Sequence, residues 1–408
     1  MKKSRYFLAA IGLSMALVMP AVCRFGIVQA PAGIEAYEAK AETKRMEEQF
    51  AYVGDRFSVA TKGKVFYSTS NEKVATVTQK GKVKILAEGK VRITAKTAKQ
   101  TIIYKLTVCK ASEKIKLTYR FADKEEGRKC RLSNEKYFNG LTQEDLNFRT
   151  QKKDAALAEF KKFSAAQVLE FTKEEKAFLD ARVKELEEKI NQRGYQLPVK
   201  DDIIFIKTTM ADEGGAGAYT HQNQIYLGKS LFTYYKENSL EFDIILAHEL
   251  FHCLTRQNPE FKAKIYDVIG AEVMEEEVQF PQEVKEKILS NPDMESFDSC
   301  ATFTIHGKKE KCVVFPYFVK GFEKEGDSFF DAVDTKLIPV DDTSRIYSME
   351  EASDFWKVLG ENTGYILAIE ETMADNFSYA VMLDEEQIKE AGFPSPEILK
   401  EIQKRISK

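Results

Sequence analysis

The stretch Ala247-His248-Glu249-Leu250-Phe251-His252-Cys253-Leu254 carries two of the four histidines in a chain of 408 residues. On a helix, residues four apart stand on one face, one turn above the other. His248 and His252 placed that way can bind one metal ion through two imidazole nitrogens, with Zn–N distances of about 2.0–2.1 Å. Glu249 follows the first histidine directly and so lies about 100° around the helix from it. It need not ligate the metal. It can instead reach a water on an open coordination position and take its proton as general base.

The surrounding residues predict the helix that this chemistry needs. In NSLEFDIILAHELFHCLTRQNP (238–259), Phe242, Ile245, Leu246, Leu250 and Leu254 keep an apolar stripe at helical period. Asn238 or Ser239 can cap the start, and Asn238 with Glu241 has capping-box spacing. Arg256 falls in the last turn, and Asn258-Pro259 stops the run. Burying two histidines and a carboxylate on such a helix is costly unless they are used.

A catalytic zinc site takes three protein ligands and keeps one position open. Thr255 and Asn258 stand where a three-histidine variant would continue, so a carboxylate from elsewhere must complete the set. The stretch NTGYILAIEETMADNFSYAVML (362–383) offers one. Ile366, Ile369, Met373, Phe377 and Ala380 form an apolar stripe, interrupted by Glu370, Glu371 and Asp375. Glu371 and Asp375 are four apart and share a face. One carboxylate can bind zinc while another orients a ligating histidine.

HELFH with a distant EETMAD resembles the gluzincin branch of zinc metallopeptidases, the thermolysin-like fold, over residues 200–385. That branch pairs HExxH with a downstream ExxxD. The resemblance implies His248, His252 and Glu371 as zinc ligands, Glu249 as base, and Asp375 as hydrogen-bond partner of a ligating histidine. Glu370 remains an alternative third ligand. No histidine follows Glu371, so the histidine proton donor of thermolysin has no counterpart. Tyr365 or Tyr379 can stabilise the oxyanion instead, since a phenol donates a hydrogen bond. Upstream, IIFIKT reads as a buried strand and AYTHQNQIYL alternates between Gly217 and Gly228. By resemblance, this second segment borders the cleft and accepts a peptide as an added strand, with Ala218, Tyr219 and Thr220 as backbone contacts. Gly214, Gly215 and Gly217 allow a bend there. His221 lines the strand without binding metal, and His306 sits in a turn.

The N-terminal MKKSRYFLAAIGLSMALVMPAVC has the basic start and short apolar run of a secretory signal, broken by Pro20, with a cleavage site after Ala41. Cys109, Cys130, Cys253, Cys300 and Cys312 show no metal cluster or disulfide framework, although Cys300 and Cys312 flank an expected hairpin and can pair. A net charge of −3 gives no electrostatic footprint for nucleic acid.

Residues 48–110 read as short alternating strands split by Gly and Asn. The S-N-x-x-V-A-x-V stretch, then G-K-V, then G-x-x-x-I-x-A resembles the bacterial group 2 immunoglobulin-like domain. Such modules serve as spacers or adhesive units. Residues 111–150 are poorly patterned, and 152–192 predict a scaffold helix pair.

The expected organisation is multidomain. A signal peptide (1–41) precedes a small all-β immunoglobulin-like sandwich (42–111). A connector with scaffold helices (112–200) leads into an α+β zincin-like metallopeptidase domain (201–408). The expected function is an exported Zn²⁺ peptidase acting on a peptide or protein, with a surface or extracellular ligand for the immunoglobulin-like unit and no nucleic acid. The alternative is a catalytically inactive zincin-like adhesion protein.

Overall fold

The computed structural model describes residues 43–408, apart from 60 and 62. The expected secretory segment and the expected cleavage site after Ala41 lie outside the described residues. The chain divides into two units.

The smaller unit runs up to Lys116 and takes in Glu187–Leu197 and Ser407–Lys408. Its larger sheet orders the strands Thr43–Tyr52, Gln100–Cys109, Gly89–Lys96 and Phe66–Thr69, the first pair parallel. A second sheet holds Arg56–Ser58, Lys82–Ile85 and Ala75–Val77. Alternate residues point inward, as the period of two in the sequence requires. Val83 and Ile85, Val91 and Ile93, and Leu106 and Val108 meet Val74 and Ala75 in one core. Gly81 closes the turn before Lys82 at φ +73°; a Cβ there would stand 2.4 Å from the Val59 carbonyl oxygen.

Residues 187–197 join this unit because Asn191 exchanges two hydrogen bonds with the backbone of Ile115, at 2.9 and 2.8 Å. Gly194, at φ +68°, lies so close to the Phe50 ring that a Cβ would meet it at 2.5 Å. Sequence boundaries at 111 and 200 do not separate these pieces, because long-range packing draws them together.

The larger unit, Leu117–Leu186 with Pro198–Ile406, mixes helices and strands. Residues 111–150 are more ordered than their pattern suggests. Tyr119–Phe121 pairs in parallel with Ile203–Thr208. Three helices follow: Lys124–Leu132, Glu135–Gly140 and Gln143–Thr150. Each is opened by a side-chain cap, from Asp123, Asn134 and Thr142 respectively. Periodicity misses them because they are short and bury charge. Arg131 and Arg149 are both 2% exposed and pair with Asp212 and Glu213.

The first sheet orders Ala218–His221, Gln224–Gly228, Ile203–Thr208 and Tyr119–Phe121, with Val168–Leu169 also on Ile203–Thr208. The predicted 218–227 strand is therefore a hairpin, turning at Gln222-Asn223, with Ala218–His221 as an edge. A second, antiparallel sheet runs Glu272–Val273, Ser299–Ile305, Lys308–Phe318, Val333–Pro339, Tyr347–Ser348. Cys300 and Cys312 sit on its two central neighbours as buried free thiols, not a disulfide.

Two helices carry the motifs. The histidine helix is Ser239–Gln257. Asn238 makes no side-chain cap there, and Pro259 opens the next helix, Pro259–Tyr266, at its first turn. The carboxylate helix is Ile369–Met382, and every residue in it is buried. It starts later than the 362–383 pattern suggests, so Tyr365 lies in the preceding loop. The helices pack through Phe251 and Phe377, whose ring centroids are 5.0 Å apart.

Candidate metal centre

His248 and His252 present their Nε2 atoms to one another at 3.1 Å. Glu371 Oε2 stands 3.3 Å from the first and 3.6 Å from the second. These residues come from two helices and are no more than 4% exposed. Among the described residues they are the group of three or more His, Cys, Asp or Glu whose donor atoms converge as a metal set would.

The outer nitrogens fix what the inner ones can do. His248 Nδ1 lies 2.8 Å from Asp375 Oδ1, and His252 Nδ1 lies 3.3 Å from Glu370 Oε1. A carboxylate accepts only, so each Nδ1 carries the hydrogen, and a ring that holds no second proton turns its Nε2 lone pair inward. Glu371 Oε2 is buried and receives no hydrogen bond. Three basic atoms thus converge in a buried pocket, and positive charge, as a proton or a metal ion, relieves them. Donors about 2.1 Å from a tetrahedral ion stand about 3.4 Å apart, so the observed spacing fits. Proton affinities point the same way. Burial opposes charge on His252, but Asp293 and Glu371 outweigh it and hold the imidazole up at about 10. Burial likewise opposes charge on His248, yet Asp375 and Glu371 raise it well above the usual range. Glu371 is held below the usual carboxylate range, because His252 and His248 overcome its burial.

Glu370 therefore stands outside the converging donor set. It orients His252 as Asp375 orients His248, a symmetry that the sequence does not disclose. Thr363 donates to Asp375 Oδ2. Thr255 Oγ1 donates to Glu370 Oε1 at 3.3 Å, and the Lys262 ammonium stands 3.9 Å from Glu370 Oε2. Asn291 Nδ2 donates to Glu371 Oε1 at 2.5 Å, while its own Oδ1 accepts from the Asp293 amide at 3.0 Å. Both bonds set the amide orientation and leave Glu371 a single free oxygen for a metal. Asn291→Ala should release Oε1 as a second donor and weaken metal affinity by about 10–100-fold. In cobalt-substituted protein, the visible absorption should fall in intensity as coordination rises. An unchanged spectrum and affinity would show that Asn291 does not position the ligand.

Glu249 is 4% exposed, and its Oε2 has no hydrogen-bond partner. Burial, with Asp293 nearby, pushes its carboxyl up to about 8. Tyr365 lies in the same electrostatic neighbourhood. Burial, then the charges of Glu371 and Asp293, raise its hydroxyl well above the usual range. The phenol stays neutral and remains a donor. Tyr379 packs on Phe393 instead, ring centroids 5.0 Å apart.

The edge strand departs from expectation. Thr220 N–H points away from the partner strand and donates to Asp293 Oδ1 at 2.6 Å, as does its hydroxyl. That amide is already engaged. Alternation then turns the Tyr219 backbone toward Gln224–Gly228, not toward a ligand. The Tyr219 ring stacks on Tyr226 with centroids 4.4 Å apart. Of the three contacts expected, only Ala218 keeps an outward backbone with no side chain on it. His221 Nδ1 pairs with Glu295 at 2.9 Å, outside the donor group. Asn291 and Asp293 come from a loop, where no periodicity marks a residue as buried; the Asn-Pro turn signal in Ser290-Asn291-Pro292-Asp293 was the available clue.

Residues 38–105 match the bacterial Ig-like domain (group 2) family. Such domains are typical of bacterial surface or extracellular proteins. No curated protein matches the chain. No helix among the described residues is long and apolar enough to cross a membrane.

Proposed function

We propose that the protein is an exported zinc metallopeptidase with a zincin-like catalytic unit, and that the immunoglobulin-like unit serves as a spacer or binds an extracellular ligand. One observation carries the reading: two histidine Nε2 lone pairs and a Glu371 oxygen converge while their outer atoms are pinned by Asp375, Glu370 and Asn291. A nitrogen-nitrogen-oxygen donor set with an adjacent unpaired glutamate suits catalytic zinc.

His248, His252 and Glu371 would hold the zinc, which when bound would supply Lewis acidity and lower the pKa of a water toward about 7. A cation in the adjacent donor set would favour the ionised form of Glu249, which would then accept the proton of the attacking water through its unpaired carboxylate oxygen. Glu249 then passes that proton to the leaving nitrogen. Tyr365 donates a hydrogen bond to the oxygen that gains charge as the carbonyl becomes tetrahedral. The Ala218 backbone holds the substrate chain in extended form.

The inactive alternative gives Glu249 no task. A buried carboxylate without a hydrogen bond is costly, and a site that only holds metal has no use for it. The test is zinc content and peptide hydrolysis measured on the same preparation. Both are expected; zinc without hydrolysis of any peptide library would favour the adhesion reading.

A further inference from the structure

The edge strand Ala218–His221 is free of a strand neighbour, yet it is open over only part of its length. The Ser290–Glu295 segment runs along it and closes one end. Asp293 takes the Thr220 amide and hydroxyl, both at 2.6 Å. Glu295 holds the Gln222 amide at 3.3 Å and pairs with Arg256 at 3.3 Å. Arg256 ties the closure down, reaching Thr220 Oγ1 at 3.0 Å and the Asp293 carbonyl at 3.1 Å. A peptide laid on this edge can pair at Ala218 but cannot continue past Thr220.

Beside Ala218, against Ala216 and Tyr219, there is a small cavity of about 30 Å³. Ala218, Asp293, Tyr365, Arg149, Glu213 and Phe329 are among its walls. Arg149 and Glu213 are paired with each other in its wall. Asp293 is the carboxylate left over: it is 6% exposed, its Oδ1 takes both Thr220 donors, and no donor among the described residues reaches its Oδ2. A buried carboxylate with a free oxygen selects a cation.

From these observations we propose that the cleft takes the amino-terminal end of a peptide, with Asp293 receiving the terminal ammonium and the first peptide bond lying at the metal centre. The inference rests on the peptidase reading and narrows it to removal of N-terminal residues. Charge also sets the direction of the chain. The reverse orientation would bring a terminal carboxylate against Asp293, and the two would repel. Asp293 acts as a specificity residue, distinct from Glu249, which handles the proton.

The test uses the full chain with its zinc content measured. The probes are a leucyl anilide, its N-acetyl derivative, and a longer internally quenched peptide with a blocked amino terminus. The free-amine probe should be cleaved at least about 100-fold more efficiently than either blocked one. Asp293→Asn keeps the shape and can still accept from Thr220, so its thermal melt should match the parent. It should lose most of that preference, chiefly through a higher KM. Binding of leucinamide by calorimetry should weaken in the same variant. Comparable cleavage of blocked and free probes would overturn the proposal while leaving the peptidase reading intact. Zinc-loaded protein that cleaves none of the probes would remove both.

Discussion

Glu249→Gln should lower peptide hydrolysis by about 10²–10⁴-fold or more while the protein keeps its zinc. The amide has nearly the shape of the carboxylate but cannot accept the proton of the attacking water. In the proposed mechanism Glu249 would also return that proton to the leaving nitrogen, so both halves of the reaction would suffer. It does not belong to the converging donor set, which is His248, His252 and Glu371. Metal content should therefore stay near that of the parent. The substitution also replaces a buried, unpaired acid with a neutral group, so the fold should be no less stable. Activity within a few-fold of the parent would exclude Glu249 as the base. Loss of zinc would show that it helps to hold the site.

The second large effect separates two adjacent carboxylates. Glu371→Ala should lose zinc, because it removes the oxygen that stands 3.3 and 3.6 Å from the two histidine nitrogens. Glu370→Ala should retain zinc with affinity weakened by about 10–100-fold, the usual effect of losing the partner of a ligating histidine. Its loss leaves the Lys262 ammonium with Asp298, 2.6 Å away, so that charge is not stranded. Equilibrium dialysis against a zinc chelator distinguishes the two. If the order of affinities is reversed, the third ligand is misassigned by one position.

The parts of this site that the sequence discloses are those carried on regular elements. The apolar stripe from Phe242 to Leu254 forecasts a buried helix, and the four-residue spacing puts both histidines on one side of it. The same period places Glu371 and Asp375 together one turn apart. Spacing alone does not say which of Glu370 and Glu371 faces the metal pocket, since adjacent residues differ by about 100° around the axis and either can be turned inward. Asp293 and Asn291 stay hidden for another reason. They lie in a loop, and their burial follows from tertiary packing against Thr220 and Glu371. Tyr219 shows how a strand misleads. Its neighbours alternate correctly, but the sequence does not reveal which backbone edge is paired. The β unit was legible almost throughout, because small buried residues recur at every second position. Its recruitment of Asn191 and Gly194 from another part of the chain was not, since nothing local in residues 187–197 indicates the partner.

Metal analysis of the full chain, purified without added metal or chelating resin, tests the central claim most directly when combined with zinc-edge X-ray absorption. The account predicts one zinc per chain, a first shell of two imidazole nitrogens with oxygen, and loss of that signal in His252→Ala. A folded chain with both histidines intact that carries no zinc and takes up none at micromolar concentration would contradict it.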